Sequence, residues 1–238
     1  MKIVLIGYGK MGKAIEEIAI EKGHEIVLKI DKENPHDLNE ANLKLADVAI
    51  EFTGPESAFE NICTCLRAGV PVVSGSTGWL ERKPEVEKLC LELNGSFLYA
   101  SNFSIGVNLF FELNRKLAKL MNNHAEYDIS IEEIHHTQKL DAPSGTAISL
   151  AEQIIDEVDR KKSWVNKEMQ SPDELSIISK RVDPAPGTHT VSYTSAIDDI
   201  EIRHTAHSRK GFAAGAVLAA EYIFDKDGIW NMKDVLSK

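Results

Sequence analysis

Lys2-Ile3-Val4-Leu5-Ile6-Gly7-Tyr8-Gly9-Lys10-Met11-Gly12 opens the chain and decides the reading of its first half. Lys2–Ile6 is a short apolar run closed by glycine, the pattern of a buried strand. Gly7 to Gly12 spell G-x-G-x-x-G and lead into Lys10–Lys22, which reads as an amphipathic helix. A strand, this turn and a helix make a dinucleotide-binding fingerprint. Gly7 permits the tight turn, Gly9 lets the backbone approach a pyrophosphate, and Gly12 lets the helix pack closely on the strand. The free N–H groups at the helix start then meet the phosphates. Alone, the hexad is a weak signal, the alternative being an ordinary glycine turn in an unrelated α/β protein. Its context strengthens it: the next strand, Glu25–Ile30, ends at Asp31, about 19 positions past Gly12, where the fingerprint expects an acid for the ribose hydroxyls.

This reading assigns Gly7, Tyr8, Gly9, Lys10, Met11, Gly12, Asp31 and Lys32 to the cofactor. Asp31 favours an unphosphorylated ribose and repels a 2′-phosphate. Lys32 either offsets that repulsion or is a solvated surface lysine. The expected cofactors are NADH and/or NADPH, with NADH the main donor.

The alternation continues outward. Strands are expected at Ala46–Phe52, Val70–Ser74 and Ser96–Ala100, with helices at Glu56–Ala68 and Pro84–Leu93. Short apolar strands separated by helices imply a parallel sheet covered on both faces. Right-handed crossovers make it a Rossmann-like doubly wound sheet. Lys32–Leu45, with Pro35 and several polar residues, reads as a shortened connection. Two loops, Glu51-Phe52-Thr53-Gly54 and Gly75-Ser76-Thr77-Gly78, follow strand ends, where such a sheet binds its ligand. Gly75, Ser76, Thr77, Ala100, Ser101, Asn102 and Phe103 are the expected contacts of the nicotinamide half. The alternative for each is ordinary turn chemistry.

After about Asn102 the pattern changes. Gly106–Asn122 and Thr146–Val158 read as helices, and Ala125–Ile134, Ser176–Val182, Thr188–Thr194 and Asp199–Ala206 as strands of a more antiparallel or mixed sheet. A helix of small residues, Arg209–Phe224, follows. The fold class expected is α/β: the doubly wound parallel sheet plus a second α+β domain on a mixed sheet. Residues 1–104 plus 209–238 form the dinucleotide domain and 105–208 the second.

Composition narrows the function. The formal net charge of −10 disfavours any general binding to nucleic acid. No apolar stretch approaches the roughly 20 residues needed to span a bilayer, and Met1 leads into the first strand without a basic leader region. The three cysteines, Cys63, Cys65 and Cys90, form no disulfide-like pattern and point to a reducing compartment. A cytoplasmic protein is expected.

The chemistry concentrates in Glu133-Ile134-His135-His136-Thr137-Gln138-Lys139-Leu140-Asp141-Ala142-Pro143-Ser144-Gly145-Thr146-Ala147. Two histidines end a strand, a lysine follows, and a Pro-Ser-Gly-Thr turn starts a helix. Imidazole donates a proton near neutral pH. Lysine is a cation for a carboxylate or a second acid. The helix start presents hydroxyls and N–H groups to an anion. Together they suit reduction of an anionic substrate with a C=N or C=C bond. A capped helix start, with Asp141 as cap and Pro143 in the first turn, explains Asp141–Thr146 without any function. It leaves the paired histidines and Lys139 unexplained. No metal is expected: His135 and His136, adjacent on a strand, point to opposite faces, and no cysteine or third histidine stands at ligand spacing.

The run Glu133–Ala147 resembles the signature of dihydrodipicolinate reductases, E-x-H-H-x-x-K-x-D-A-P-S-G-T-A. Gly7–Gly12, Glu51-Phe52-Thr53, Gly75–Gly78, Ser101–Asn108 and Arg203–Ala206 with Ser208-Arg209 and Phe212-Ala213 also look like that family. The resemblance covers essentially the whole chain. It implies that His135 is the general acid and that Lys139 assists as a proton donor or electrostatic partner, with His136 on the substrate and Gly145 and Thr146 on a carboxylate. It also implies a cyclic dicarboxylate substrate, 4-hydroxy-tetrahydrodipicolinate, reduced with loss of water in lysine and diaminopimelate biosynthesis. The second domain would bind substrate and assemble a homotetramer, and a hinge would close on ligand. Two departures stand out: the short Lys32–Leu45 connection, and Glu51 where an aspartate is common.

Two rivals remain at this point: another dehydrogenase of similar fold, such as one acting on aspartate, and a non-catalytic nicotinamide-nucleotide redox sensor. A sensor has no need of His135, His136 and Lys139 beside an anion cradle. Arg209 contacts the cofactor or the hinge, or is a surface ion pair. His24, His36, His124 and His189 show no partner pattern.

Overall fold

The computed structural model describes residues 1–208 and 210–237, so Arg209 lies outside the described residues. In chain order the elements begin with β1 (Lys2–Ile6), α1 (Lys10–Glu21), β2 (Glu25–Ile30), α2 (Glu40–Leu43), β3 (Val48–Glu51), α3 (Pro55–Arg67), β4 (Val72–Ser74), α4 (Lys83–Glu92) and β5 (Ser96–Tyr99). There follow α5 (Ile105–Met121), β6 (Asp128–His135), α6 (Gly145–Glu157), β7 (Ser163–Val165), β8 (Glu174–Arg181), β9 (Thr188–Thr194) and β10 (Asp199–Thr205). The chain ends in α7 (Lys210–Ile223), β11 (Gly228–Trp230) and α8 (Met232–Leu236). These elements form two units: residues 1–105 with the segment from Lys210 onward, and residues 106–208.

The first unit is built on a six-stranded sheet in the order β11-β5-β4-β3-β1-β2, every pair parallel. Alternate residues of the strands supply two cores. Ile3, Leu5, Ile50 and Val73 pack with Ile15 and Ala19 of α1 and Ala216 and Ala220 of α7. Val4, Ile6, Ala49 and Val72 pack with Ile62 and Leu66 of α3 and Val86 and Cys90 of α4. Both faces are therefore covered, as the continuous apolar strands require. The chain runs from β1 to β2 on one side and returns to β3 on the other. The switch point, where doubly wound sheets bind their ligands, lies between β1 and β3. β11 and α8 extend this sheet beyond the sequence reading. Their weak apolar pattern hides them, although Asn231 and Asp234 form a complete capping box at α8. The Lys32–Leu45 connection holds a 3-10 turn at Pro35–Asp37 and the single-turn α2, with no strand.

The second unit has a five-stranded sheet ordered β10-β9-β6-β8-β7. β10, β9 and β6 pair antiparallel, whereas β6, β8 and β7 pair parallel, so the sheet is mixed. Ile129, Ile131, Leu175, Ile177, Val191 and Tyr193 form the inner face against α5 and α6. β7, only three residues long, lies outside the expected strands.

Candidate active site

In the first unit the glycine turn is enforced by close contact. Gly7 has φ +93°, and a side chain there would strike the Phe52 carbonyl, while one at Gly12 would strike the Gly7 carbonyl. Gly9 differs, because a Cβ there meets nothing within 4 Å. Packing within the protein does not demand glycine at this position, whereas close approach of a ligand to the backbone would. Gly9 opens α1 with no side-chain cap, leaving the first amides of that helix to another partner. A cavity of about 570 Å³ lies at the switch point, lined by Gly7, Gly9, Asp31, Lys32, Thr53 and Gly54 among others. Asp31 directly follows β2, its carboxylate accepting from the Lys32 amide at 2.8 Å.

Other residues assigned to the cofactor are engaged within the unit. The Tyr8 hydroxyl donates to Glu16, and the Lys29 ammonium sits 4.8 Å from the centre of the Tyr8 ring. Lys10 is exposed and Met11 packs partly against the core. The Ser76 hydroxyl donates to Glu51 at 2.8 Å and accepts from the Thr53 amide at 2.8 Å. Thr77, Ser101 and Gly75 stand at least partly open, and Ala100 is buried. Asn102 accepts from the Ser104 amide at 2.9 Å. The Phe103 side chain is buried in the core 5.5 Å from Phe52, so any contact it makes with a ligand is through its backbone.

Glu51, noted in the sequence only as a departure, organises this region. Fully buried at the end of β3, it accepts from Ser74 Oγ at 2.6 Å, Ser76 Oγ at 2.8 Å, the Thr53 amide at 2.9 Å and the Thr53 hydroxyl. One carboxylate thus ties the β3 loop to the β4 loop.

In the second unit the inner face of β6 changes character toward its end. Ile129 and Ile131 enter the core, and the next two inward positions are Glu133 and His135. Strand period two places them on one face. His135 Nε2 lies 3.4 Å from Glu133 Oε2 and 3.4 Å from Nε2 of His189. His189, which showed no partner pattern in the sequence, is buried here because β9 pairs antiparallel with β6 and sets it directly opposite Glu133. The alternation of His189, Val191 and Tyr193 along β9 was the available signal. Burial, then the charge of His135, pushes the His189 imidazole down to about 4.

Ser144, not Asp141, caps α6. Its hydroxyl accepts from the Ala147 amide at 3.2 Å, and Pro143 precedes the helix instead of sitting in its first turn. Asp141 instead pairs with Lys139, whose Nζ lies 2.8 Å from both carboxylate oxygens. That lysine holds the Asp141 carboxyl below the usual range. The first-turn amides of Gly145 and Thr146 precede the intrahelical ladder at the N-terminal end of α6. His136 follows the strand and is half-buried, and its Nδ1 is buried without a partner.

Glu133, His135 and His189 are the one group among the described residues whose ligand atoms, all within 4.8 Å of one another, have metal-site proximity. His136 lies beyond β6 and outside this group, whose second histidine, His189, comes from β9. The donor set nevertheless suits a cation poorly. Both Glu133 oxygens accept from the Ser144 amide, and the Arg181 guanidinium stands 3.3 Å away.

Residues 1–103 match the family described as dihydrodipicolinate reductase, N-terminus, and residues 106–236 match dihydrodipicolinate reductase, C-terminus. A 4-hydroxy-tetrahydrodipicolinate reductase of Christiangramia forsetii is 54% identical over 238 residues, covering 100% of this chain and 98% of the relative. A second, from Methanosarcina barkeri, is 37% identical over 96% of this chain and 82% of its own. Among solved structures, dipicolinate-bound dihydrodipicolinate reductase from Paenisporosarcina sp. TG-14 superposes with a TM-score of 0.77 at 24% identity, covering 97% of each chain. At that identity the likeness speaks for the fold.

Proposed function

The chain belongs to the dihydrodipicolinate reductase family, and we propose that it reduces 4-hydroxy-tetrahydrodipicolinate to tetrahydrodipicolinate with loss of water, using a nicotinamide nucleotide, in lysine and diaminopimelate biosynthesis. The observation that carries this reading is the strand–loop–helix unit from β6 to α6. It places an imidazole, an ammonium and an open helix N-terminus within one stretch of fifteen residues, 133–147.

The first unit fits the nucleotide. Gly9, where a Cβ has open space, and the uncapped start of α1 suit a pyrophosphate, and Asp31 suits ribose hydroxyls. When bound, the nicotinamide supplies the hydride. NADH is the preferred donor, because Asp31 repels a 2′-phosphate, and neighbouring Lys32 allows some use of NADPH. In the second unit His135 protonates the substrate, Lys139 assists electrostatically, and His136 with the Gly145 and Thr146 amides holds a carboxylate. The buried, unpaired cysteines accord with a cytoplasmic protein. No helix among the described residues is long and apolar enough to cross a membrane. A homotetramer assembled through the second unit's sheet completes the reading.

Oxidation of NADH by the purified protein tests it, with substrate generated in place from pyruvate and aspartate semialdehyde by the preceding synthase and NADPH run in parallel. Synthase-dependent oxidation is expected, and His135→Gln should impair turnover while leaving nucleotide affinity nearly intact. Oxidation that does not depend on the synthase would overturn the assignment, as would full turnover by the variant for the role of His135.

A further inference from the structure

Glu133 occupies a position that the pattern of β6 would give to an apolar residue. Ile129 and Ile131 precede it on the same face, and it is fully buried. A carboxylate there carries a desolvation cost of several kcal/mol unless donors surround it. It has them on every side. The Ser144 amide donates to its two oxygens at 3.1 and 3.0 Å, Arg181 reaches Oε1 at 3.3 Å, and His135 stands 3.4 Å from Oε2. Burial alone would raise its carboxyl, but hydrogen bonds from His135, Ser144 and Ser179 outweigh burial and hold it well below the usual carboxylate range. Glu133 is therefore an anion throughout the neutral range.

These partners are not arbitrary neighbours. His135 is the proton donor of the reading above, and Ser144 is the cap of the helix whose next two amides face the substrate carboxylate. Arg181 also donates to the backbone carbonyls of Asp141 at 2.6 Å and Lys139 at 3.4 Å. It thereby fastens to Glu133 the loop that carries Lys139. On its other side the His135 ring is backed by Gly187, where a Cβ would come within 2.9 Å of ring atom Cε1. His189 completes the enclosure, its Nε2 3.1 Å from Ser144 Oγ.

We propose that Glu133 is the positioning residue of this reaction: one buried carboxylate fixes the His135 ring and, through Ser144 and Arg181, the anion-binding helix start and the Lys139 loop. The carboxylate accepts a hydrogen bond from Nε2–H of His135. That fixes the ring orientation and leaves Nδ1 as the nitrogen available to the substrate. Donor and cradle are thus held at one separation by a single group. A displacement of about 1 Å between such parts costs on the order of 100-fold in rate. The proposal rests on the assignment of His135 as general acid.

A double-mutant cycle in the synthase-coupled assay tests it. Glu133→Gln in the otherwise unaltered protein should lower kcat on the order of 100-fold, with NADH affinity, a property of the first unit, unchanged. In a His135→Gln background the same substitution should lower the residual kcat by less than about 3-fold, because residues acting as a unit are not additive. An equal factor in both backgrounds, or no effect in either, overturns the proposal. If the unaltered protein shows no synthase-dependent oxidation, the functional reading fails and not this one. Should Glu133→Gln not fold, the unaltered protein still decides. With ¹⁵N-labelled histidine, the Nε2 of His135 should carry a proton at pH 7.5, and a bare Nε2 there overturns the proposal.

Discussion

The buried His189 makes the stability of the second unit depend on pH in a calculable way. Its side chain is enclosed by Glu133 and His135 of β6, Ser144 at the start of α6 and, more remotely, Lys139 and His204. Burial comes first and the neighbouring His135 second in lowering its pKa from 6.5 to about 4. Between those values the unfolded chain binds a proton that the folded protein refuses. Stability is therefore complete above pH 6.5 and falls as the pH drops toward 4. Between pH 7.5 and pH 5.0 this one group should remove about 2 kcal/mol. The assay is urea denaturation at the two pH values, comparing the protein with His189→Asn. Both proteins carry Trp79→Phe and Trp230→Phe, so that Trp164, packed against the second unit's core, reports that unit alone. The loss on acidification should be smaller in His189→Asn by about 2 kcal/mol, and titrations elsewhere cancel in the difference. An equal loss in both proteins would refute a neutral, buried His189.

Three further outcomes follow from the same geometry. Gly12→Ala forces a Cβ into the Gly7 carbonyl, so it should lower both NADH affinity and thermal stability, read by fluorescence titration and calorimetry, whereas Gly9→Ala should weaken only NADH binding. Ser144→Ala removes the cap of α6 and a polar contact to His189, and should cost about 1–2 kcal/mol in urea denaturation. Glu133→Gln should destabilise more than Glu51→Gln in urea denaturation, by about 3–5 against about 1–2 kcal/mol; the reverse order would mean that charge matters more at Glu51 than at Glu133.

The first unit was legible because its signals are local. A glycine hexad, apolar strands and Asp31 at the end of β2 all lie within thirty-odd residues and need no long-range pairing to interpret. The Glu133–Ala147 stretch was legible for the same reason. What escaped the sequence was contributed from a distance. His189 stands 54 positions after His135, and only the antiparallel register of β6 and β9 brings the two together. Arg181 reaches Glu133 through the parallel pairing of β6 and β8, in which it lies beside His135. Glu51 drew notice only as an unusual residue, since the hydroxyls that satisfy it come from β4 and the loop after it. The cap of α6 was misplaced because Asp and Ser are both good caps. The choice between them fell to Lys139, which holds Asp141, and to Glu133, which receives the Ser144 amide.

The two fully buried carboxylates among the described residues, one in each unit, follow a single structural logic with different chemistry. Each stands at or near the end of a strand whose preceding inward residues are aliphatic: Glu51 after Ala49 in β3, and Glu133 after Ile131 in β6. There the core stops and the loops that carry function begin. Glu51 is satisfied by three hydroxyls and one amide, all neutral. Hydroxyls rotate and accept as readily as they donate, so an uncharged amide in place of the carboxylate finds partners. Glu133 faces a backbone amide and a guanidinium, which only donate. An amide nitrogen turned toward either sets donor against donor and leaves the half-buried Arg181 cation without its carboxylate. The Glu51 clamp between the β3 and β4 loops therefore tolerates loss of charge, whereas the Glu133 clamp beside His135 requires it.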